Sequence, residues 1–290
     1  MKYLFKNIIG EFVFDENFKL VEGSKEKDLQ EVPKDKLVEV LKYFKDKKYY
    51  SQFYSENLKI TKQKIKESVS EDWLIIQAIA NVNELDKIVN ILSKRLREWY
   101  SLYLPEFEDK FTNNEKFSLM ILDNDKEKLM KEFNIKDTMG ADLDEVHLQE
   151  LELLAKEIIG LQQLRSNHEQ YLEKIMRKYC PNLTELAGVT IGAKLIELGR
   201  SLKHLAMLPA STVQLLGAEK ALFRHIKTGS KSPKYGVIFQ HPLIQKARRK
   251  EQGKAARILA DKLSLCARLD FFKGEFKAKE YRKILEEKLQ

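Results

Sequence analysis

The 290-residue chain contains only two cysteines, Cys180 and Cys266, together with six prolines and twelve glycines. Two cysteines so far apart in sequence cannot build a zinc ribbon or a disulfide framework. A reducing, cytoplasmic location is therefore expected. No apolar run approaches the roughly 20 residues that cross a bilayer, and residues 1–10 lack the pattern of a secretory signal peptide. These absences predict a soluble protein with no membrane partner.

The sequence patterns of an enzyme are also missing. None of Gly188, Gly192 and Gly199 is followed by a phosphate-binding GxxxxGK motif, and there is no serine or cysteine nucleophile motif. The carboxylates of the C-terminal third lack the paired spacing with which enzymes hold catalytic metal ions. We therefore expect no catalytic residues, metal or cofactor, and the sequence favours a scaffold. The alternative is an RNA-processing enzyme whose site is assembled only in the fold.

Charge is distributed unevenly along the chain. Residues 186–290 hold 22 basic and 9 acidic side chains, whereas residues 1–185 hold 30 basic and 35 acidic ones. A basic segment attracts phosphates, and the concentration of positive charge in one third predicts that this third binds nucleic acid.

The densest basic segment runs from Gly217 to Lys262, with 12 Lys or Arg against 3 Asp or Glu. Aromatic and histidine side chains lie between the cations, and Pro233 and Pro242 stiffen the chain. Aromatic and guanidinium planes can stack on unpaired bases. A solvated surface without a ligand is the alternative interpretation of such a charge run.

The same segment carries a family resemblance. The octapeptide Gly217–Arg224, GAEKALFR, resembles the signature of the Nop domain. Lys227-Thr228-Gly229, Pro233-Lys234, Gly236–Phe239 and His241-Pro242 follow in the order of that signature, with Ser232-Pro233-Lys234 where the family usually shows Pro-Pro-Lys. The chain is thus similar to the archaeal Nop-family proteins of box C/D small ribonucleoproteins, whose eukaryotic relatives are nucleolar.

The resemblance implies a function. Nop-family proteins are scaffolds that bind a kink-turn guide RNA together with a ribosomal-type kink-turn-binding protein. They recruit the methyltransferase fibrillarin, which methylates ribose 2′-hydroxyl groups of rRNA or tRNA under guidance of the box C/D RNA. S-adenosylmethionine is then expected on fibrillarin and not on this chain. In the family, the four residues that match GAEK lie near the end of the guide–substrate duplex.

The candidate RNA-binding residues are the four that match GAEK and the cationic, aromatic and polar side chains that follow them. They are Gly217, Ala218, Glu219, Lys220, Arg224, Lys227, Lys231, Lys234, Tyr235, Phe239, Gln240, His241, Arg248, Arg249, Lys250, Lys254 and Arg257.

Residues 1–65 are predicted to form a small α/β domain. Strand-type runs occur at Tyr3–Phe5, Phe12–Phe14 and Phe18–Val21. Pro33 then starts a helix whose apolar face is Leu37, Val40, Leu41 and Phe44. So small a domain buries little of its own surface, so a protein partner covering one face is plausible. By resemblance this is the fibrillarin-docking domain.

Residues 66–182 are predicted to form an antiparallel coiled-coil hairpin. Its first seam comprises Ile75, Ile79, Val82, Leu85, Val89, Leu92, Leu96, Trp99 and Tyr103, and its second comprises Leu151, Leu154, Ile158, Leu161, Leu164, His168, Tyr171 and Ile175. The connecting tip, at about 107–140, is too apolar for a simple turn and is either a folded cap or a dimer contact. By resemblance the hairpin is the homodimerisation module.

Residues 183–290 are predicted to be an all-helical Nop domain, with a last helix that starts near Ile244 and runs past Arg268. The predicted fold class is mainly α, with a small N-terminal α/β domain, a long antiparallel coiled-coil hairpin and the helical C-terminal domain.

Overall fold

The computed structural model describes residues 2–21 and 29–289. The chain divides into two compact units, Met1–Ser70 and Glu71–Gln290. Within the described ranges, no helix combines the length and the apolar character that a bilayer span requires.

The first unit contains a four-stranded sheet of order β3-β2-β1-β4. Its strands are β1 Tyr3–Asn7, β2 Gly10–Phe14, β3 Leu20–Val21 and β4 Gln30–Glu31. The β1–β2 hairpin is tight because the Asn7 side-chain oxygen accepts hydrogen bonds from the backbone N–H groups of Ile9 (3.0 Å) and Gly10 (3.2 Å). The first two strands contain the predicted runs, and β3 contains only the end of the third, because Phe18 lies in the preceding turn with φ +57°. Strand β4, which pairs in parallel with β1, was not predicted.

Helices follow this sheet along the chain. They are α1 Leu37–Tyr43 and α2 Tyr50–Glu67, each preceded by one 3₁₀ turn, Lys34–Lys36 and Lys47–Tyr49 respectively. Val40 and Phe44, one helical turn apart, pack with Phe14 in the core. Leu37 and Leu41 were predicted to share that face but are exposed. A helix of two turns has room for only one buried row against so small a sheet.

The second unit begins with two long antiparallel helices, α3 Glu71–Tyr100 and α7 Glu145–Tyr179. The antiparallel orientation of α3 and α7 follows from their contacts. Ile79 shares a core with Met176, whereas Leu96 shares one with Leu151. Between these ends, the side-chain amide of Asn81 lies 3.0 Å from Nε2 of His168. The predicted mainly α fold with a small N-terminal α/β domain is confirmed.

The predicted seam positions agree with the observed burial better in α3 than in α7. In α3 the predicted positions from Ile75 to Leu96 are buried, apart from half-buried Leu92. In α7, Leu164 and Tyr171 are exposed, and Leu172 and Met176 are buried in their place. A straight helix drifts by about 20° per heptad against a strict seven-residue repeat, so the buried row moves to neighbouring positions.

The tip of the hairpin is a folded cap. Three short helices, α4 Pro105–Lys110, α5 Asn114–Asp123 and α6 Lys126–Glu132, enclose the fully buried side chains of Phe107, Phe117 and Leu129. The cap closes tightly on the hairpin at Gly140, where a Cβ atom would lie 2.0 Å from the backbone oxygen of Tyr103. The apolar composition of the tip is therefore largely accounted for by its own core.

The remaining helices follow α7 along the chain. They are α8 Pro181–Ala187, α9 Val189–Gly199, α10 Leu202–Met207, α11 Ala210–Leu215, α12 Glu219–Thr228, α13 Pro242–Lys246, α14 Gln252–Phe271 and α15 Ala278–Leu289. Small buried residues such as Ala256, Ala260 and Ala267 allow α8, α10 and α11 to approach α14 closely. The predicted single last helix is interrupted after α13, since residues 247–251 are not helical.

The observed units do not coincide with the predicted domains. The predicted boundary at 65/66 falls inside α2, and the first unit extends to Ser70. At 182/183 the packing is continuous, because Ile75, Leu172 and Met176 of the hairpin share one core with buried residues of α8–α11 and α13–α15. The base of the hairpin is thus built into the helical bundle.

Asn182 ties three helices together at that base. The Asp270 carboxylate of α14 accepts hydrogen bonds from the backbone and side-chain N–H groups of Asn182 (3.0 and 2.9 Å) and from the backbone of Leu183 (2.8 Å). The Asn182 side-chain oxygen accepts from the backbone N–H groups of Lys277 (2.7 Å) and Ala278 (3.1 Å). Asn182 is 2% exposed, so these groups have no access to water as a replacement partner.

We predict that Asn182→Ala lowers the free energy of unfolding of the second unit by about 2–3 kcal/mol, because it leaves buried donors without partners. Urea unfolding followed by the helical circular dichroism signal measures this. Asn90→Ala, at an exposed position of α3, is the matched control and is expected to change stability by less than about 0.5 kcal/mol. Equal free energies of unfolding of the two variants would show that the hydrogen bonds of Asn182 contribute nothing to stability.

Candidate nucleic-acid interface

The loop between α12 and α13 is held against α11 by backbone hydrogen bonds. The N–H groups of Gly236 and Val237 donate to the carbonyl oxygens of Gln214 and Leu216, both at 2.8 Å. A Cβ atom at position 236 would lie 1.9 Å from the Leu216 oxygen, so only glycine permits this approach. The loop is therefore a fixed part of the fold.

The start of α12 is set by Gly217. This residue has φ +86°, a conformation that residues with a side chain rarely adopt, and its N–H donates to the Glu219 carboxylate at 2.7 Å. Its neighbours are Leu198 of α9 and Val237 of the loop. The residues that match GAEK thus begin at a sharp turn between two other parts of the interface.

The helix α12 projects from the bundle, since none of its residues is buried. Phe223 is 62% exposed and Ile226 is 68% exposed, and the cations Lys220, Arg224 and Lys227 on the same helix are also exposed. This helix presents apolar and cationic groups together. A surface of this composition can contact RNA and a protein at the same time.

Tyr235 and Phe239 stack on each other. Their ring centroids are 4.4 Å apart with planes inclined by 9°, and the Tyr235 hydroxyl lies 3.3 Å from the Gln252 side-chain oxygen at the start of α14. Both rings are half-buried. One face of each ring is therefore used inside the protein, and the pair supports the loop as well as offering an edge to a ligand.

His241 is a structural residue, which corrects its assignment to the RNA-binding set. It is 5% exposed, its Nε2 atom lies 2.9 Å from the Leu186 oxygen, and its Nδ1 atom accepts from the Leu243 N–H at 3.2 Å. Burial lowers the pKa of His241 below its ordinary value, against the opposing effect of the Leu186 hydrogen bond. With both ring nitrogens engaged, this side chain caps α13 and does not reach RNA.

The cations of the interface carry uncompensated charge. Among the described residues, no carboxylate lies within ion-pairing distance of the Lys and Arg side chains predicted to bind RNA. All of them are exposed, namely Lys220, Arg224, Lys227, Lys231, Lys234, Arg248, Arg249, Lys250, Lys254 and Arg257. By contrast, Arg97 at the tip pairs with Glu108 at 2.8 Å. Unpaired cations are available to phosphate groups.

The fold brings three parts of the segment together. Gly217 is adjacent to Val237. A Cβ atom added to Gly253 would lie 3.4 Å from the aliphatic part of the Lys234 side chain, so these two residues are also in contact. The start of α12, the loop and the start of α14 with Lys254 are therefore adjacent. Lys227 lies in the last turn of α12, which is about 15 Å long, and Lys231 follows its end. Arg248, Arg249 and Lys250 occupy the non-helical turn before α14.

The sequence did not identify Lys194 as part of this surface. Its Nζ atom lies 3.4 Å from the side-chain oxygen of exposed Gln240, although 46 residues separate the two. Lys194 is on α9, outside the basic run, and only the packing of α9 against the loop brings it here. No local sequence signal could have indicated this contact.

Within the described residues, no group of three His, Cys, Asp or Glu side chains could hold a metal ion.

Comparison with known proteins gives a consistent result. The family described as Nop, snoRNA binding domain, fibrillarin, matches residues 81–290. An uncharacterised NOP5 family protein of Methanocaldococcus jannaschii is 40% identical over 248 residues, which cover 80% of this chain and 60% of that protein. Nucleolar protein 56 of Schizosaccharomyces pombe is 38% identical, covering 73% of this chain and 47% of that protein. Human nucleolar protein 56 is 36% identical, covering 73% and 39%.

Among solved structures, a chain from the crystal structure of a fibrillarin/Nop5p complex is similar over 100% of both chains, with 25% identity and a TM-score of 0.50. The present chain spans between 39% and 60% of the length of the three protein relatives. The match over residues 81–290 contains the projecting helix α12, the fixed loop and the unpaired cations. This chain belongs to the family described as Nop, snoRNA binding domain, fibrillarin.

Proposed function

We propose that this protein is the scaffold subunit of a box C/D guide ribonucleoprotein. It binds a kink-turn guide RNA through α12, the loop and the start of α14, and recruits fibrillarin for RNA-guided ribose 2′-O-methylation. The observation that carries the proposal is the set of exposed, unpaired cations on a framework fixed by Gly236 and buried His241. The family match supports this interpretation over the RNA-processing enzyme.

The shape of α12 supports simultaneous contact with RNA and with a kink-turn-binding protein. Phe223 and Ile226 are exposed on a helix that also presents Arg224 and Lys227. Exposed apolar side chains favour a protein partner, and the neighbouring cations favour phosphate. Helix α12 would therefore recognise RNA and protein as a preformed complex.

The first unit offers a surface for a protein partner. Helix α1 exposes Val38 (61%) and Leu41 (46%), which are three residues apart and so lie on one face. Helix α2 has no buried residue and exposes the stacked pair of Tyr50 and Tyr54. These apolar groups support docking of fibrillarin on this unit, with S-adenosylmethionine bound by fibrillarin.

The hairpin offers a surface for a second copy of the chain. Leu74 and Ile88 on α3, and Leu164 and Tyr171 on α7, are each 42–44% exposed. Members of each pair are separated by multiples of seven residues, so each pair follows one side of its helix. A two-helix hairpin with an open apolar side is suited to pairing with another hairpin, and this supports a homodimer.

Purified protein mixed with guide RNA, substrate RNA and S-adenosylmethionine tests the scaffold interpretation directly. We expect no methyl transfer or cleavage until fibrillarin and the kink-turn-binding protein are added. Turnover by the purified chain alone would favour the enzyme.

The first functional prediction concerns RNA shape. Arg224→Ala is expected to weaken binding more on a kink-turn RNA carrying its primary protein than on unstructured RNA of equal length, because the guanidinium fork orients as well as attracts. Lys288→Ala, at an exposed position of the C-terminal helix α15, is the charge-matched control and is expected to change neither affinity. Titrations of both variants on both RNAs at two salt concentrations measure this. Equal weakening by Arg224→Ala on the two RNAs would instead show non-specific phosphate attraction.

The second concerns the first unit. Deleting residues 1–70 is expected to abolish methylation in the reconstituted particle while assembly on RNA is retained. The double variant Val38→Ser/Leu41→Ser tests the exposed face of α1 without deleting the unit, and is expected to weaken fibrillarin binding at least tenfold, consistent with loss of two apolar contacts. Arg224→Ala serves as the converse control, with fibrillarin binding retained and RNA binding reduced. A large loss of RNA affinity on deletion would contradict this assignment.

The third concerns self-association. Light scattering is expected to report a dimer for the native chain and, because the sequence predicts that the tip contributes to the contact, a monomer when residues 107–140 are replaced by a short Gly/Ser turn. Ile88→Lys/Leu164→Lys is expected to give the same result by charging the open side of the hairpin. Met207→Lys, at an exposed apolar position outside the hairpin, is the control and should leave the dimer intact. A dimer that survives both hairpin changes would place the contact elsewhere.

A further inference from the structure

A crevice of about 600 Å³ lies at the C-terminal end of α14, where it meets the end of α7, the start of α8 and the segment before α15. Its lining includes Lys178, Tyr179, Phe271, Lys273 and Phe276. None of these residues belongs to the interface described above. The volume is within the range of small-molecule sites and is sufficient for one nucleotide.

The crevice offers flat apolar surfaces to a ligand. Tyr179 and Phe271 are half-buried in its wall, and Phe276 is 49% exposed at its edge. Large aromatic groups exposed to water favour a partner that covers them, and a planar partner covers a ring best. The shape and composition of the wall favour a planar ring.

The rim of the crevice is positively charged. Lys178 and Lys273 are exposed, and among the described residues neither has a carboxylate within ion-pairing distance. The carboxylate in the lining, Asp270, is already engaged by the three hydrogen bonds from Asn182 and Leu183. Glu275, in the adjoining segment, pairs with Lys277 at 3.2 Å. The lysines therefore favour an anionic ligand.

Lys273 adopts an unfavourable backbone conformation. Its φ is +54°, and the N–H of the next residue, Gly274, donates to the Leu269 oxygen at 2.8 Å to close the end of α14. Glycine is the common residue at such a left-handed helix end, because a Cβ atom adds steric cost. Replacement of Lys273 by glycine therefore removes the charge without straining the end of α14.

We propose that the crevice binds an unpaired nucleotide of RNA, with the base against the aromatic wall and the phosphate at Lys178 and Lys273. Base–aromatic stacking beside cations is the general chemistry by which proteins hold single strands. Helix α14 has 20 residues and is about 30 Å long. Lys254 and Arg257 lie near its start and the crevice is at its end, so a single strand leaving the interface would extend along the bundle by that distance. The proposal rests on the RNA-binding function for the identity of the strand.

The test compares two RNAs on the full-length chain with the kink-turn-binding protein present. One is a kink-turn RNA without overhangs, and the other carries a ten-nucleotide adenosine extension, tested at each end in turn. For the native chain, one of the two extensions is expected to raise the affinity about tenfold, a gain consistent with one stacked base and its phosphate contact. Lys273→Gly and Phe276→Leu are expected to lose most of this gain and to bind the RNA without overhangs as the native chain does.

Arg200→Gly is the matched control. Arg200 is also exposed and left-handed, with φ +63°, and it is absent from the lining of the crevice. The two glycine variants remove the same charge and relieve the same kind of strain, so neither is expected to lower the melting temperature. The control is expected to keep the full gain from the extension.

The outcomes separate this proposal from the function of the protein. If the native chain binds the kink-turn RNA but Lys273→Gly and Phe276→Leu keep the whole gain in affinity from the extension, the crevice is not an RNA site. If these variants lose binding only to a protein partner, the crevice is likewise not an RNA site.

If the native chain does not bind the kink-turn RNA, the proposed function fails. In that case, binding of a labelled ten-nucleotide adenosine strand that is lost in Lys273→Gly and kept in Arg200→Gly would still support the crevice.

Discussion

The second unit depends on the close packing of α7 and α9 at the base of the hairpin. Gly192 of α9 faces Met176 of α7, and a Cβ atom on Gly192 would lie 2.9 Å from the Met176 methyl carbon. Met176 is fully buried in the core that also contains Ile79 and Leu195. Because protein interiors are packed to crystal-like density, a hairpin anchored in this way fixes the positions of the helices that contact it. The interface and the hairpin are parts of one packed body.

That anchoring explains how the candidate interface can be built from short helices and a loop. The helices α10 to α13 have ten residues or fewer, and helices of that length are marginal on their own in water. Of these, α10, α11 and α13 are held by α14, whose alanine-rich face allows close approach, and the loop is held by backbone bonds such as that from Gly236 to Gln214. Groups held in place before binding lose less entropy on binding, and this favours recognition of one RNA shape over general attraction to phosphate.

Positive charge and backbone strain occur together at two helix ends. Lys273 and Arg200 are cations in left-handed conformations, and both end helices where glycine would be less strained. Each is exposed, and Lys273 lies on the rim of the crevice with exposed Phe276. The stability of the bundle comes from its buried alanine and leucine contacts, so it can tolerate these small local costs. The proposed RNA path therefore runs from one end of α14 to the other.

The sequence by itself determined the fold class, the hairpin, the basic third of the chain and the family signature at Gly217–Arg224. These depend on local periodicity, composition and a contiguous motif, all of which can be recognised along the chain. Only the tertiary structure decided that His241 is buried, that Leu164 and Tyr171 face outward, and that Lys194 meets Gln240. Such outcomes depend on which distant segments pack together, and burial of a side chain is a property of those contacts and not of its neighbours in sequence.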